Sequence, residues 1–215
     1  MMYIDMKKFL NFNKVLCLSP HPDDVEISMS ATINTYCDTK FDIVCLTHGT
    51  STDVTSNQRR LLEVEQFWKL FKCDNIGFIH SDVKYFESMS SAQWVTYLDK
   101  IVANDYDAIC TTSAIDAHQE HVFLSTLINP LTRSKPISII EYKTPSTLHT
   151  WTPNYFVSCN DQFELKCNAL RQSFISQIDS IYFSEECIRL FHSDYNCLKR
   201  SLPLVEQFKI VTLYS

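Results

Sequence analysis

Glycine is nearly missing from this chain: Gly49 and Gly77 are the only two in 215 residues. Neither GxGxxG nor GxxxxGK can be written with them, so nucleotide folds built on a glycine-rich loop are excluded. Tight turns must use Asn, Asp, Ser and Pro instead. Long apolar runs are missing too: none approaches the ~20 residues of a membrane-spanning helix. The amino terminus, MMYIDMKKFLNFNK, lacks an apolar core leading to a small-residue cleavage site. A cytoplasmic protein with no membrane span is therefore expected. Basic residues are outnumbered, 19 against 25 acidic, for a formal charge of −6. That balance argues against broad nucleic-acid binding, which needs a basic footprint. The nine cysteines include no CxxC pair, and their number is odd. Cys17, Cys45 and Cys110 lie in apolar runs, where a thiol behaves as a small buried hydrophobe, so reduced core cysteines are expected, not bridges or zinc ligands.

What remains is a globular composition, 45% hydrophobic and 20% charged, with no repeat or linker. Residues 1–215 are read as one domain, with an irregular, loop-rich region at 130–160 close to the site. The pattern alternates. KVLCLS (14–19) is a buried strand ended by Pro20, and residues 25–36 suit a helix. Strands follow at 42–47, 76–79 and 107–111, separated by helices at 57–71 and 92–102. In the first of these helices Leu61, Leu62, Val64, Phe67, Trp68 and Phe71 form the apolar stripe, with Arg59 and Arg60 outside it. Further strands are expected at 136–140 and 205–213, with helices at 161–178 and 184–197 and a loop at 144–153. Alternating strands and helices with short links predict an α/β, Rossmann-like domain with a mostly parallel sheet and helices on both faces. Ligands in such sheets bind at the carboxyl ends of the strands.

Two polar segments fall at those ends. Ser19-Pro20-His21-Pro22-Asp23-Asp24 follows the first strand, and Asp116-Ala117-His118-Gln119-Glu120-His121 follows the strand ending at Thr111. If a helix begins in the second, His118 and His121 share a face one turn apart. A catalytic zinc site takes three nitrogen or oxygen ligands and leaves a position for water. His21 and Asp24, with one of the two histidines of the second segment, would meet that need. The spare carboxylate is then free to accept a proton and the spare imidazole to steady an oxyanion.

SPHPDD, followed by THG, by Arg60 and Glu63, and by HQEH, resembles the LmbE or PIG-L family of zinc-dependent N-deacetylases. LKCNALRQSFISQI (165–178) and VEQFKI (205–210) are similar to later family segments at Lys166, Ala169, Ser176, Gln177, Glu206 and Phe208. The resemblance implies a Rossmann-like sheet and removal of an acetyl group from an amino sugar. It makes His21, Asp24 and His121 the metal ligands, Asp23 the general base and His118 the group that stabilises the tetrahedral intermediate. It also points to Arg60 as a substrate contact and Asp82 as a partner for a sugar hydroxyl. Three departures stand out. Ser28, Ser30 and Ala31 replace the glycines common after the first motif, which suggests a more regular or less closely packed helix. Gln119 and Glu120 replace the usual Pro-Asp pair, and Thr50-Ser51 follows THG where an acidic residue is usual.

The implied reaction is hydrolysis of an N-acetyl amide on a small-molecule hexosamine derivative, with zinc as cofactor and iron(II) as an alternative for the same ligand types. In this reading His118 stays charged, supported by Asp116 or Glu120. Tyr142, Leu148, Trp151 and Tyr155 form either a sugar-stacking wall or the packing of a long loop. The alternatives are a metal-dependent hydrolase of another amide or ester, such as an N-formyl or N-acyl substrate, and a silent carbohydrate-binding homologue. Homo-oligomerisation is compatible with the sequence.

Overall fold

A computed structural model describes residues 8–48, 54–81, 83, 85–194 and 203–214. Asp82 and the Thr50-Ser51 pair lie outside the described residues.

Seven strands form one sheet. They are β1 (Lys14–Ser19), β2 (Lys40–Cys45), β3 (Ile76–His80), β4 (Ala108–Thr111), β5 (Ser138–Tyr142), β6 (Tyr155–Ser158) and β7 (Val205–Thr212). Their order is β3-β2-β1-β4-β5-β7-β6. The first five run parallel, whereas β7 is antiparallel to β5, and β6 to β7. Among the described residues six helices accompany them: α1 (Asp24–Thr35), α2 (Val54–Phe71), α3 (Ser91–Val102), α4 (Gln119–Thr132), α5 (Phe163–Ser173) and α6 (Glu185–His192).

Central strands are apolar on both sides because both faces are covered. Val15 and Cys17 of β1 join the core that holds α1, α2 and α5, while Leu16 and Leu18 enter the core under α3 and α4. Cys17, Cys45 and Cys110 are buried free thiols. Gly77 is required by its neighbour strand, since a Cβ there would fall inside contact distance of the Asp42 carboxylate.

The order of strands puts the site at one place. From β1 the chain winds outward to β2 and β3, then returns through α3 to β4 on the other side of β1. The ends of β1 and β4 therefore diverge at the switch in direction, where a crevice must open. Both histidine motifs begin there.

Several expected elements differ in extent. The helix expected at 161–178 is broken: α5 ends at Ser173, Phe174 turns out of the helix (φ −87°, ψ 59°), and a short 3-10 turn spans Ile175–Gln177. The helix expected from 184 to 197 is described only as Glu185–His192, followed by extended Ser193. Pro130, the first residue of the region read as loop-rich, sits inside α4. Leu62, counted in the apolar stripe of α2, is exposed, while Arg60, placed outside it, is buried. Nor is α1 more regular or less tightly packed for its missing glycines. It breaks at Met29 (φ −144°, ψ 16°), and Ser28, Ser30 and Ala31 are all buried. At the break the backbone N–H groups of Ala31 and Thr32 donate to the Glu206 carboxylate on β7, at 2.9 and 2.6 Å. Lys166 of α5 donates to the same carboxylate at 2.6 Å, both side chains fully buried.

Candidate metal centre and active site

The first motif forms the turn between β1 and α1. Ser19 Oγ donates to the His21 carbonyl at 2.7 Å, and the His21 N–H donates to Asp24 Oδ2 at 2.9 Å. These bonds fold the loop back so that His21, Asp23 and Asp24 all face the crevice. Asp23 sits just before α1 with φ 147°, a conformation that side-chain-bearing residues avoid. Its Oδ2 accepts from Arg60 Nη2 at 2.7 Å, and the same nitrogen donates to the Pro22 carbonyl at 3.0 Å.

The second motif opens α4. His118 is the N-cap, its Nδ1 accepting from the Glu120 N–H at 3.3 Å. His121 follows one turn later and is buried. Its Nδ1 lies 3.1 Å from Asp116 Oδ2. Asp116 is held in turn by the Thr144 hydroxyl, which donates at 2.6 Å, and the Ser146 hydroxyl lies 3.3 Å from the same imidazole nitrogen. The loop after β5 thus latches onto the second motif, with Ala117 N–H donating to the Ser146 carbonyl.

The two motifs meet. His21, His118 and His121 each bring a ring nitrogen to within 4.8 Å of one another. The Asp24 carboxylate lies between two of them, 3.2 Å from His21 Nδ1 and 3.3 Å from His121 Nε2. Glu120 touches His21 Nε2. A cleft of about 330 Å³ opens over this cluster, walled by Arg60, Ser146, Gln177, Tyr182 and Phe183. The break after α5 is what presents Gln177 there: Glu63 of α2 accepts from both the N–H and the hydroxyl of Ser176, at 2.8 and 2.5 Å.

The electrostatics favour a cation. Burial opposes charge on His21, but Asp24 and Glu120 outweigh it and raise its pKa to about 9. Burial likewise opposes charge on His121, yet Asp24 and Asp116 raise it to about 10. Asp24 is held well below the usual carboxylate range, its burial overcome by the two imidazoles. Burial pushes Asp23 up to about 6, against the pull of Arg60. His118 goes the other way: burial, then the neighbouring His21 and His121, lower its pKa. The expectation of a charged His118 supported by Asp116 or Glu120 is therefore corrected. Asp116 serves His121 and Glu120 serves His21, which leaves His118 as a neutral imidazole whose Nδ1 accepts from the backbone. Its proton then belongs on Nε2.

The family profile described as PIG-L, GlcNAc-PI de-N-acetylase, matches residues 16–131, which span both motifs and the strands that carry them. The chain belongs to the PIG-L family. No curated protein matches it by sequence. Solved structures show how widely this fold is shared. The N,N'-diacetylchitobiose deacetylase from Pyrococcus horikoshii superposes with a TM-score of 0.76 at 23% identity, over 98% of this chain and 88% of that one. A zinc-inhibited form of a teicoplanin deacetylase gives 0.69 at 11%, over 91% and 96%. GalB, the 4-carboxy-2-hydroxymuconate hydratase from Pseudomonas putida KT2440, gives 0.74 at 11%, over 94% and 98%. At these identities the likeness establishes a common PIG-L fold, and the chemistry must be argued from the residues.

The sugar-stacking wall does not form. Tyr142 is fully buried and its hydroxyl donates to the Leu18 carbonyl at 2.7 Å. Trp151 is buried with its indole N–H on Glu141, and Tyr155 packs on Phe9 and Phe208. The aromatic lining of the cleft comes instead from Tyr182 and Phe183, in the segment after α5, between the two helices expected at 161–178 and 184–197. Their signal was weak because the break at Phe174, which turns that segment toward the cleft, has no glycine or proline to mark it.

Proposed function

We propose that this protein is a metal-dependent hydrolase that removes an N-acetyl group from an amino-sugar derivative. The observation that carries the reading is the meeting of three histidines and Asp24 beneath one cleft, in a chain of the PIG-L family. The donor set fits a divalent ion such as zinc, or iron(II), since it mixes imidazole nitrogen with carboxylate oxygen. A further sign is His121 Nε2, buried without an aligned hydrogen-bond partner although Asp24 is close. His21, Asp24 and His121 would hold the ion, which supplies Lewis acidity that lowers the pKa of water and polarises a carbonyl.

The chain's own groups do the rest. Asp23, beside the ligands and held by Arg60, accepts the proton of the attacking water. His118 offers Nε2–H to the oxygen on which charge develops, and a neutral imidazole suffices for such a donor. Asp23 then returns its proton to the leaving amine. Glu120 and Asp116 each orient one ligand imidazole. The cleft admits one hexosamine ring, with Gln177 and Ser146 available to sugar hydroxyls and Tyr182 to its apolar face.

Zinc-loaded protein is assayed for acetate release from N-acetylhexosaminides, with parallel detection of formate and of other amines and esters. Acetate with free amine is expected. Release of formate or another acid redirects the substrate class, and no turnover of any acyl compound overturns the hydrolase reading. Metal content separates the roles: Asp24→Ala should lose zinc, whereas His118→Ala should retain it while kcat falls roughly 10²- to 10⁴-fold. The reverse result would exchange Asp24 and His118.

A further inference from the structure

We infer that Arg60 is a positioning residue for the base: it clamps Asp23 in a backbone conformation the carboxylate needs. The kinetic part of this inference rests on Asp23 being the base.

Among the described residues, Asp23 is the one unusual backbone position in the site. The other described non-glycine residues with positive φ are Leu10, Asn11, Lys72 and Asp105, at 48° to 65°, within the ordinary left-handed basin. Asp23, at φ 147° and ψ −22°, lies outside it, in a sparsely populated region that strains a residue with a Cβ. Such strain persists only where the surroundings hold it. On the far side of residue 23 the hold is the first turn of α1, where the Ile27 N–H donates to the Asp23 carbonyl at 2.9 Å. On the near side it is Arg60. A single nitrogen, Nη2, bridges the Pro22 carbonyl and the Asp23 carboxylate, and so pins the peptide and the side chain together.

The guanidinium is buried, and among the described residues its Nε has no hydrogen-bond partner. Burying a cation is costly, and among the described residues the side-chain anion it meets is Asp23. Its anchorage is firm, because Glu63, three residues on along α2, is tied to Ser176 on the opposite wall.

The test compares zinc-loaded wild type, Arg60→Lys and Arg60→Ala, using an aryl N-acetylglucosaminide among the assayed hexosaminides and a crystal structure of each protein. A displacement of about 1 Å in a reacting group costs on the order of 10²-fold. Arg60→Ala should therefore lower kcat by about that factor with KM little changed, added guanidinium should restore part of the loss, and Arg60→Lys should fall between. A rise in KM at unchanged kcat would overturn the clamp and make Arg60 a substrate contact. In the Arg60→Ala crystal structure residue 23 should leave positive φ and its carboxylate should move; an unmoved Asp23 overturns the clamp. If Arg60→Ala does not fold, Arg60→Lys carries both readouts. Wild type that releases no acetate from any hexosaminide would defeat the deacetylase reading alone, and the crystallographic comparison still decides the clamp.

Discussion

At the scale of single residues, the site is governed by which carboxylate faces which imidazole. Asp116 is fully committed: it accepts from the His118 N–H at 2.8 Å and from Thr144, and it faces His121 Nδ1. That arrangement leaves His121 Nε2 as the nitrogen directed into the cluster, and a carboxylate behind a ligand imidazole raises its basicity. Asp116→Asn should weaken metal binding by about 10- to 100-fold while the protein stays folded, as read by competition with a chromogenic chelator and by circular dichroism. Unchanged affinity would mean that the imidazole is oriented by Ser146 and packing alone. The histidines and carboxylates of the two motifs are legible in the sequence because their types and spacing are chemical. Their pairing is not. Asp116 lies two residues from His118 and five from His121, and only the turn into α4 directs it to the more distant one.

Elements impose their own demands, and the break in α1 is the clearest. The N–H groups of Ala31 and Thr32 are turned away from the helix and satisfied by Glu206, whose charge is balanced by Lys166. Removing one partner of a buried ion pair leaves the other uncompensated, at a cost of about 3–5 kcal/mol. Glu206→Gln should lower unfolding stability by that order in urea titrations, and a loss under 1 kcal/mol would show that Lys166 reaches water. Gly77 is a second case. Gly77→Ala forces the Asp42 carboxylate aside, and Asp42 also holds the Tyr106 hydroxyl and Lys14. Overpacking of this kind costs about 1–3 kcal/mol, measurable in the same titration. Sequence periodicity located β1 to β5, β7 and α1 to α3 to within a few residues, because each carries enough apolar side chains to show its period. It did not locate β6, which has four residues, or the break after α5, which is set by Glu63 accepting from Ser176 across 113 positions.

For the whole molecule, two equilibria connect folding to solution conditions. His192, at the end of α6, is buried with Nδ1 on the Val205 carbonyl and, among the described residues, no hydrogen-bond partner for Nε2. Burial, together with Lys166 on α5 and Lys143 after β5, lowers its pKa well below the usual histidine value. The folded state therefore resists a proton that the unfolded chain accepts below about pH 6.5. Its contribution to stability is complete above that value and is lost as the pH falls further. His192→Asn keeps a donor for Val205 and should flatten the stability profile between pH 7 and 5; a slope equal to wild type would exclude His192 as its source. The proposed metal would give the second equilibrium. An ion present at 100 times its dissociation constant adds about 2.7 kcal/mol to the folded state, so chelation should lower Tm by a few degrees in a scan with and without zinc.

The sequence by itself determined the fold class, the family and the residue types available for catalysis. Those properties reside in local pattern: alternating apolar runs, HPDD after one strand, HQEH after another, and too few glycines for a nucleotide loop. Tertiary structure alone decided that the two motifs share a crevice at the β1–β4 switch, that Arg60 grips Asp23, that His118 is neutral and that Tyr142 and Trp151 belong to the interior. Each of those depends on contacts between segments tens of residues apart, whose geometry exists only once the sheet has assembled.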